Sequence, residues 1–301
     1  MRSARLGSHQ NPGRAPWAIA GTTILSLFLL AAARGPRRQQ AAVAGPSSGS
    51  GLETILARSA EYCDRLDRAV LDFVCRERIE QWLRPSAQPA VRHGVKMQAI
   101  FLGPRVDHSY IYDYQLIRDR EGSFKESRTL LKEDGKDVRV PDAPLKTRRF
   151  AYAKIVMGPL GLLSRENQTG HDYRVVREEK VRGEETLVIE AIPKPGAQFQ
   201  HLFGTLWLRK KDAGVVKIEW NPASIDDYQW VERTAEFLGL TPWLRITSEF
   251  AFEKNGIRFP SRCILKETYR RGTGGALYPI SEIEAVYDRY KFFTVETAVK
   301  Y

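Results

Sequence analysis

The chain has 301 residues, 43% of them hydrophobic, and a formal net charge of +11. That length and apolar content suit one large all-β domain or two smaller ones and exclude an intrinsically disordered chain. Residues 1–44 hold six arginines and no acid, leaving +5 of the +11 for the rest, where both signs are interspersed and no basic stripe points to nucleic acid.

Residues 14–38 read RAPWAIAGTTILSLFLLAAARGPRR, without a charged residue from Pro16 to Ala33. A basic leader ahead of such a run is an export signal or a membrane anchor. Ala42-Val43-Ala44 has the small-x-small form of a processing site. Arg34, Arg37 and Arg38 directly follow the apolar run, however, and basic residues there oppose simple translocation. Residues 1–44 are therefore expected to be either a cleaved signal or an anchor that spans the inner membrane with residues 16–33. Both alternatives place the remainder in the periplasm or cell envelope. Residues 45–51, GPSSGSG, have the composition of a flexible linker.

From Leu52 the spacing becomes helical: Leu52, Ile55, Leu56, Cys63, Leu66, Val70 and Phe73 form one stripe, with charged residues on the other faces. The predicted helix covers 52–84 and ends before Pro85 and Pro89. Its apolar stripe must lie on a sheet. Cys63, Cys75 and Cys263 are too few for a disulfide framework, and buried thiols are the favoured reading.

Beyond about residue 95 the period is two. Tyr110, Tyr112 and Tyr114 alternate in VDHSYIYDYQLI, and SFKESRTLLKED, DYRVVREEK and ETLVIEAIP follow. The segment GTLWLRKKDAGVVKIEW reads as a hairpin with Leu206 and Leu208 on one face and Trp207 on the other. Val216, Ile218 and Trp220 share a face of its second strand. Its tip, Arg209-Lys210-Lys211, reads as a solvated turn. Asn255-Gly256 marks another hairpin, because both residues of that turn need positive φ. These segments amount to about nine strands in sequential hairpins, so the fold class is mainly β (α+β): an antiparallel meander, curled or closed. One apolar, Gly- and Pro-broken stretch, FAYAKIVMGPLGLLSREN, interrupts it and reads as a short helix and loop over an open side of the sheet. A hydrophobic plug and a functional lid fit it equally.

Chemical motifs are absent. His9, His93, His108, His171 and His201 share no metal-ligand spacing, and there is no Gly-x-Ser-x-Gly, Walker loop or dinucleotide fingerprint. Neither an enzyme nor a cofactor nor a metal is expected.

The export segment, first long helix, curled sheet and small helical insertion together resemble the outer-membrane lipoprotein carrier (LolA-like) fold. GTLWLRKKDAGVVKIEW is similar to that family's Trp-bearing strand pair. YCDRLDRAVLDFVCRERI, GPLGLLSRENQ and YDRYKFFTVETAV resemble uncharacterised exported proteins of acidobacterial type. The resemblance spans residues 52–301 as a single domain. It implies a half-barrel whose concave apolar face holds acyl chains under a helical lid. Trp207, Leu206 and Leu208 are the positions that match, with their cavity-facing side left open; Phe250 and Phe252 join them as candidate cleft residues. Ile155, Val156, Met157, Leu160, Leu162 and Leu163 are the lid candidates. The implied partner is a lipid or an acylated protein, with the membrane reached through the N-terminal segment. The alternative is an envelope-anchored interaction module with a filled core.

Overall fold

Period-two patterning governs the molecule from residue 73 onward, and in the computed structural model it yields fifteen strands, eleven of them in one sheet. The structure describes residues 48–71, 73–84, 91–92, 95–96, 103–118, 121, 123–196, 203–225 and 228–293. The predicted export segment 16–33, linker residues 45–47 and His201 lie outside them. Among the described residues no helix is long and apolar enough to cross a membrane.

The strands are β1 (Phe73–Leu83), β2 (Val91–Arg92), β3 (Val95–Lys96), β4 (Val106–Arg118), β5 (Phe124–Glu133), β6 (Lys136–Val140), β7 (His171–Val181) and β8 (Glu184–Pro193). There follow β9 (Gly204–Arg209), β10 (Val215–Trp220), β11 (Thr241–Glu249), β12 (Phe252–Lys254), β13 (Ile257–Phe259), β14 (Arg262–Arg270) and β15 (Leu277–Phe292). The large sheet runs β6-β5-β4-β1-β15-β14-β11-β10-β9-β8-β7, antiparallel throughout, curled and unclosed. The expected class is the observed one, with eleven strands in the sheet where the hairpin signals suggested about nine. β12 and β13 pair apart from it around Asn255 (φ 53) and Gly256 (φ 71), the two positive-φ residues that this turn requires.

α1 spans Ser48–Ala69 and so takes in Ser48–Gly51 of the expected linker; serine and glycine are tolerated in a first helical turn. It does not continue to residue 84. FVCRERIEQWL forms β1, paired on both sides, between β4 and β15. The helical reading failed because Val70 and Phe73 extend an i, i+3 stripe by coincidence. The inward row of β1 is Phe73, Cys75, Glu77, Ile79 and Gln81, a period of two in which polar residues occupy apolar parity.

One face of the sheet carries the core. A register row crosses it from Tyr110 through Ile79, Ala285, Cys263, Ser248, Ile218 and Leu206 to Ile189, and every member is buried. α1 adds Ile55, Tyr62, Cys63 and Leu66 to the same cluster, and the turn after it adds Val70. All three cysteines are buried and free. Residues Pro46–Tyr301 form one compact unit.

Candidate functional site: the concave face and its cover

The question posed by GTLWLRKKDAGVVKIEW, which side faces inward, is answered by burial. Leu206 and Leu208 belong to the main core, whereas Trp207 packs on the opposite face with Val188 and Val216. Val216 was expected beside Ile218. A bulge between Val215 and Lys217 puts two residues where one would pair, so Val215 turns inward and Val216 outward. Trp207 therefore lines no concave cleft. It floors a shallow outer groove of about 420 Å³, with the Lys217 ammonium 4.0 Å from its ring centroid. The hairpin tip is not a free solvated turn either. The Arg209 side chain, 13% exposed, bonds Asp212, Glu184 and Glu253, and Arg58 of α1 donates to the Lys210 and Lys211 carbonyls. A cation surrounded by three carboxylates is worth more in that network than in water.

Phe250 is fully buried in the core just beyond β11. Phe252, on β12, is half-buried and belongs to an aromatic group with Phe73, Phe259, Tyr290 and Phe292; its ring stacks on Tyr290 at 4.4 Å. The cleft candidates thus do not converge on one cavity.

The lid candidates do converge. Ile155–Met157 forms a single 3-10 turn, α2 covers Gly158–Leu163 with Pro159 in its first turn, and α3 covers Arg165–Gln168. Leu162 and Leu163 are fully buried, and Ile155, Val156 and Leu160 nearly so; Met157 is half-buried against the same cluster. Polar bonds fix the segment's backbone: Gln168 Nε2 donates to the carbonyls of Leu56 (2.8 Å) and Leu163 (2.7 Å), and Asn167 Nδ2 to that of Leu160 (2.9 Å). Gly158 lies so close to Trp220 that a Cβ there would stand 2.9 Å from the indole. This is a plug seated among side chains.

A second set of residues, missed from sequence, occupies the same face toward β4, β1 and β15. The Glu77 carboxylate is fully buried and accepts from Arg128 (Nε, 2.7 Å), Tyr152 (3.0 Å) and Tyr287 (2.9 Å). Arg128 also reaches Glu126 at 2.9 Å. Burial opposes the charge on Arg128, but Glu77 and Glu126 hold its guanidinium above its ordinary pKa. Burial likewise pushes the phenols of Tyr114, Tyr152 and Tyr287 well up. A matching cage holds Glu267, which accepts from Arg149, from Tyr269 (2.7 Å) and from Ser281 (3.0 Å).

Three of these bonds come from one strap, the chain leading into the plug. Arg149 and Tyr152 supply side chains, Arg148 exchanges backbone bonds with Gln81 (2.5 and 2.9 Å), and Lys154 N–H donates to Glu126 (2.6 Å). Arg149 (φ 74) and Lys154 (φ 51) are left-handed non-glycine residues at either end of this stretch. The signal for the cages was present in the sequence: Glu77 shares parity with Cys75 and Ile79, and Glu267 with Leu265 and Tyr269. Both carboxylates are compensated by guanidinium and hydroxyl groups, an arrangement that holds segments together. Among the described residues no group of three or more His, Cys, Asp or Glu could hold a metal ion.

No protein-family model and no curated protein sequence matches this chain. Among solved structures it is similar to a DUF1329 family protein from Desulfovibrio piger, at 11% identity and a TM-score of 0.35, covering 83% of this chain and 95% of the other. It is similar to a LolA superfamily protein from Nitrosomonas europaea, at 14% identity and a TM-score of 0.31, covering 81% and 94%. A third is a putative outer membrane lipoprotein-sorting protein domain from Vibrio parahaemolyticus, at 13% identity and a TM-score of 0.35, covering 82% and 94%.

Proposed function

We propose that this chain is an exported, non-enzymatic protein of the cell envelope that binds a lipid or the acyl group of a lipidated protein on the concave face of its sheet. The acyl chain takes the place of the plug formed by residues 155–163. The observation that carries this reading is the loading of Ile155, Val156, Leu160, Leu162 and Leu163 onto one short segment that enters the core from a strap held by polar bonds. Exchange is close to balanced. Five such side chains contribute roughly 10 kcal/mol by burial, at about 2 kcal/mol each. An acyl chain of about fourteen methylenes contributes about 11 kcal/mol, at ~0.8 kcal/mol each. A ligand of that size competes with the plug, and a much shorter one does not.

The test is native mass spectrometry of the purified full chain together with titration of a fluorescent fatty acid. Uptake is expected, and the double variant Leu162→Ala, Leu163→Ala should take up more, because its plug competes less well. If both proteins stay ligand-free and take up nothing, the acyl reading is wrong.

A second reading has its own support: the plug's tight seating fits an interaction module with a filled core. Its docking element would be β7, a sheet edge that exposes Val175 and Val176. A protein captured on β7 by crosslinking, with no lipid bound, would favour that reading.

A further inference from the structure

At one end of the sheet, β11, β14 and β15 turn an unusual set of residues outward. Leu244 and Tyr269 face the core, so their neighbours Trp243 and Arg270 face the other way. Register places Trp243 opposite Thr268, Thr268 opposite Pro279, and Arg270 opposite Leu277. With strands about 4.8 Å apart, Trp243 and Pro279 stand roughly 10 Å from each other on a single face. Trp243 is 52% exposed and Leu277 50%. The β14–β15 connection adds Arg271, also exposed.

The charges here are one-sided. Arg270 and Arg271 make no ion pair among the described residues. The carboxylates bordering the patch are engaged: Glu282 with Lys266 (2.8 Å), and Glu219 with Lys217 (3.3 Å) and Arg245 (3.8 Å). An exposed indole and leucine flanked by uncompensated guanidiniums match the headgroup layer of an anionic bilayer. Tryptophan rings settle at that depth, and arginines meet lipid phosphates there. Isolated exposed apolar residues need no explanation, but this grouping joins apolar anchors to unpaired cations at one end of the sheet.

We infer that this end of the sheet, centred on Trp243, Arg270, Arg271 and Leu277, docks on an anionic membrane surface. The contact is separate from any insertion of the N-terminal segment and from the concave face. It orients the folded unit by its outer face and leaves the plug clear of the bilayer contact.

The experiment uses the full chain mixed with vesicles carrying lipid brominated near the headgroup end of the acyl chain. The reading is the Trp243 emission, taken as wild type minus Trp243→Phe, so that the other tryptophans, Trp17 of the N-terminal segment among them, do not contribute. In vesicles rich in phosphatidylglycerol that emission should be quenched relative to unbrominated vesicles, and in pure phosphatidylcholine it should not be. The variant Arg270→Gln, Arg271→Gln should lower the ratio of docked to undocked protein about thirtyfold, the effect of two arginines at an anionic surface. Salt at about 0.5 M should act in the same direction. Leu277→Trp in the Trp243→Phe background gives a second reporter, since both positions are exposed and tolerate exchange. Equal emission from both reporters in brominated and unbrominated anionic vesicles would overturn the proposal. So would quenching that the double arginine variant leaves unchanged.

Discussion

Glu77→Gln removes one charge and changes almost nothing in size, at a site where every neighbour is known. The carboxylate is fully buried, Arg128 is 6% exposed, and Tyr152 and Tyr287 donate to the same oxygen. In the variant Arg128 keeps only Glu126, at 2.9 Å. Removing one member of a buried ion pair costs about 3–5 kcal/mol, because the other charge is left uncompensated. Glutamine still accepts through its amide oxygen, so the lower end, about 3 kcal/mol, is expected. For a unit of this size that lowers Tm by roughly 6–12 °C. Calorimetric melting reads the shift, and urea unfolding should move its midpoint with an unchanged m-value. The double variant Glu77→Gln, Arg128→Met should lose less than the two single losses added together, by at least about 1 kcal/mol, since the pair is coupled. A single-variant shift under about 2 °C, or strict additivity, would refute the idea that this cage holds the strap and the strands together.

Gly204→Ala should unfold the β9–β10 region or prevent folding, because the added Cβ would stand 2.1 Å from the Glu219 carbonyl oxygen, a backbone atom that cannot step aside; circular dichroism and expression yield read it. Leu162→Ala should cost about 2–5 kcal/mol, measured by urea midpoint, since its side chain is fully buried in the plug. Trp207→Ala should leave fatty-acid uptake at the wild-type level while Leu206→Ala changes it, because the two side chains lie on opposite faces. Alkaline stability follows from burial. Burial pushes the Cys263 thiol from 9.0 up to about 12 and the Tyr112 phenol from 10.0 up to about 12. Ionisation is thus easier in the unfolded chain, so these groups' contribution is complete below about pH 9 and disappears as pH climbs toward 12. Denaturant midpoints at pH 8 and 11 should differ in that direction, and native thiols should resist a thiol reagent at pH 8 that labels them after unfolding.

Particular residues show how far the sequence reaches. Asn255-Gly256 identified its hairpin because the turn's positive φ is a local requirement, and FAYAKIVMGPLGLLSREN identified a helical interruption because glycine and proline break strands wherever they fall. FVCRERIEQWL was read as helix because its apolar positions fit both periods, and only pairing with β4 and β15 settles which one holds. Alternation already set Trp207 on the face opposite Leu206 and Leu208, but only the folded sheet decides that the leucine face is the one turned to the core.

By itself, then, the chain's residue order determined the antiparallel class, the hairpin turns and the place where helix interrupts strand, since each depends on neighbours within a few residues. Tertiary structure alone decided which face is concave, how far the plug fills it, and that Glu77 meets Arg128 and Tyr287, partners 51 and 210 residues away. Buried charge is tolerated only where a compensating group arrives from elsewhere in the fold, and no local pattern announces that arrival.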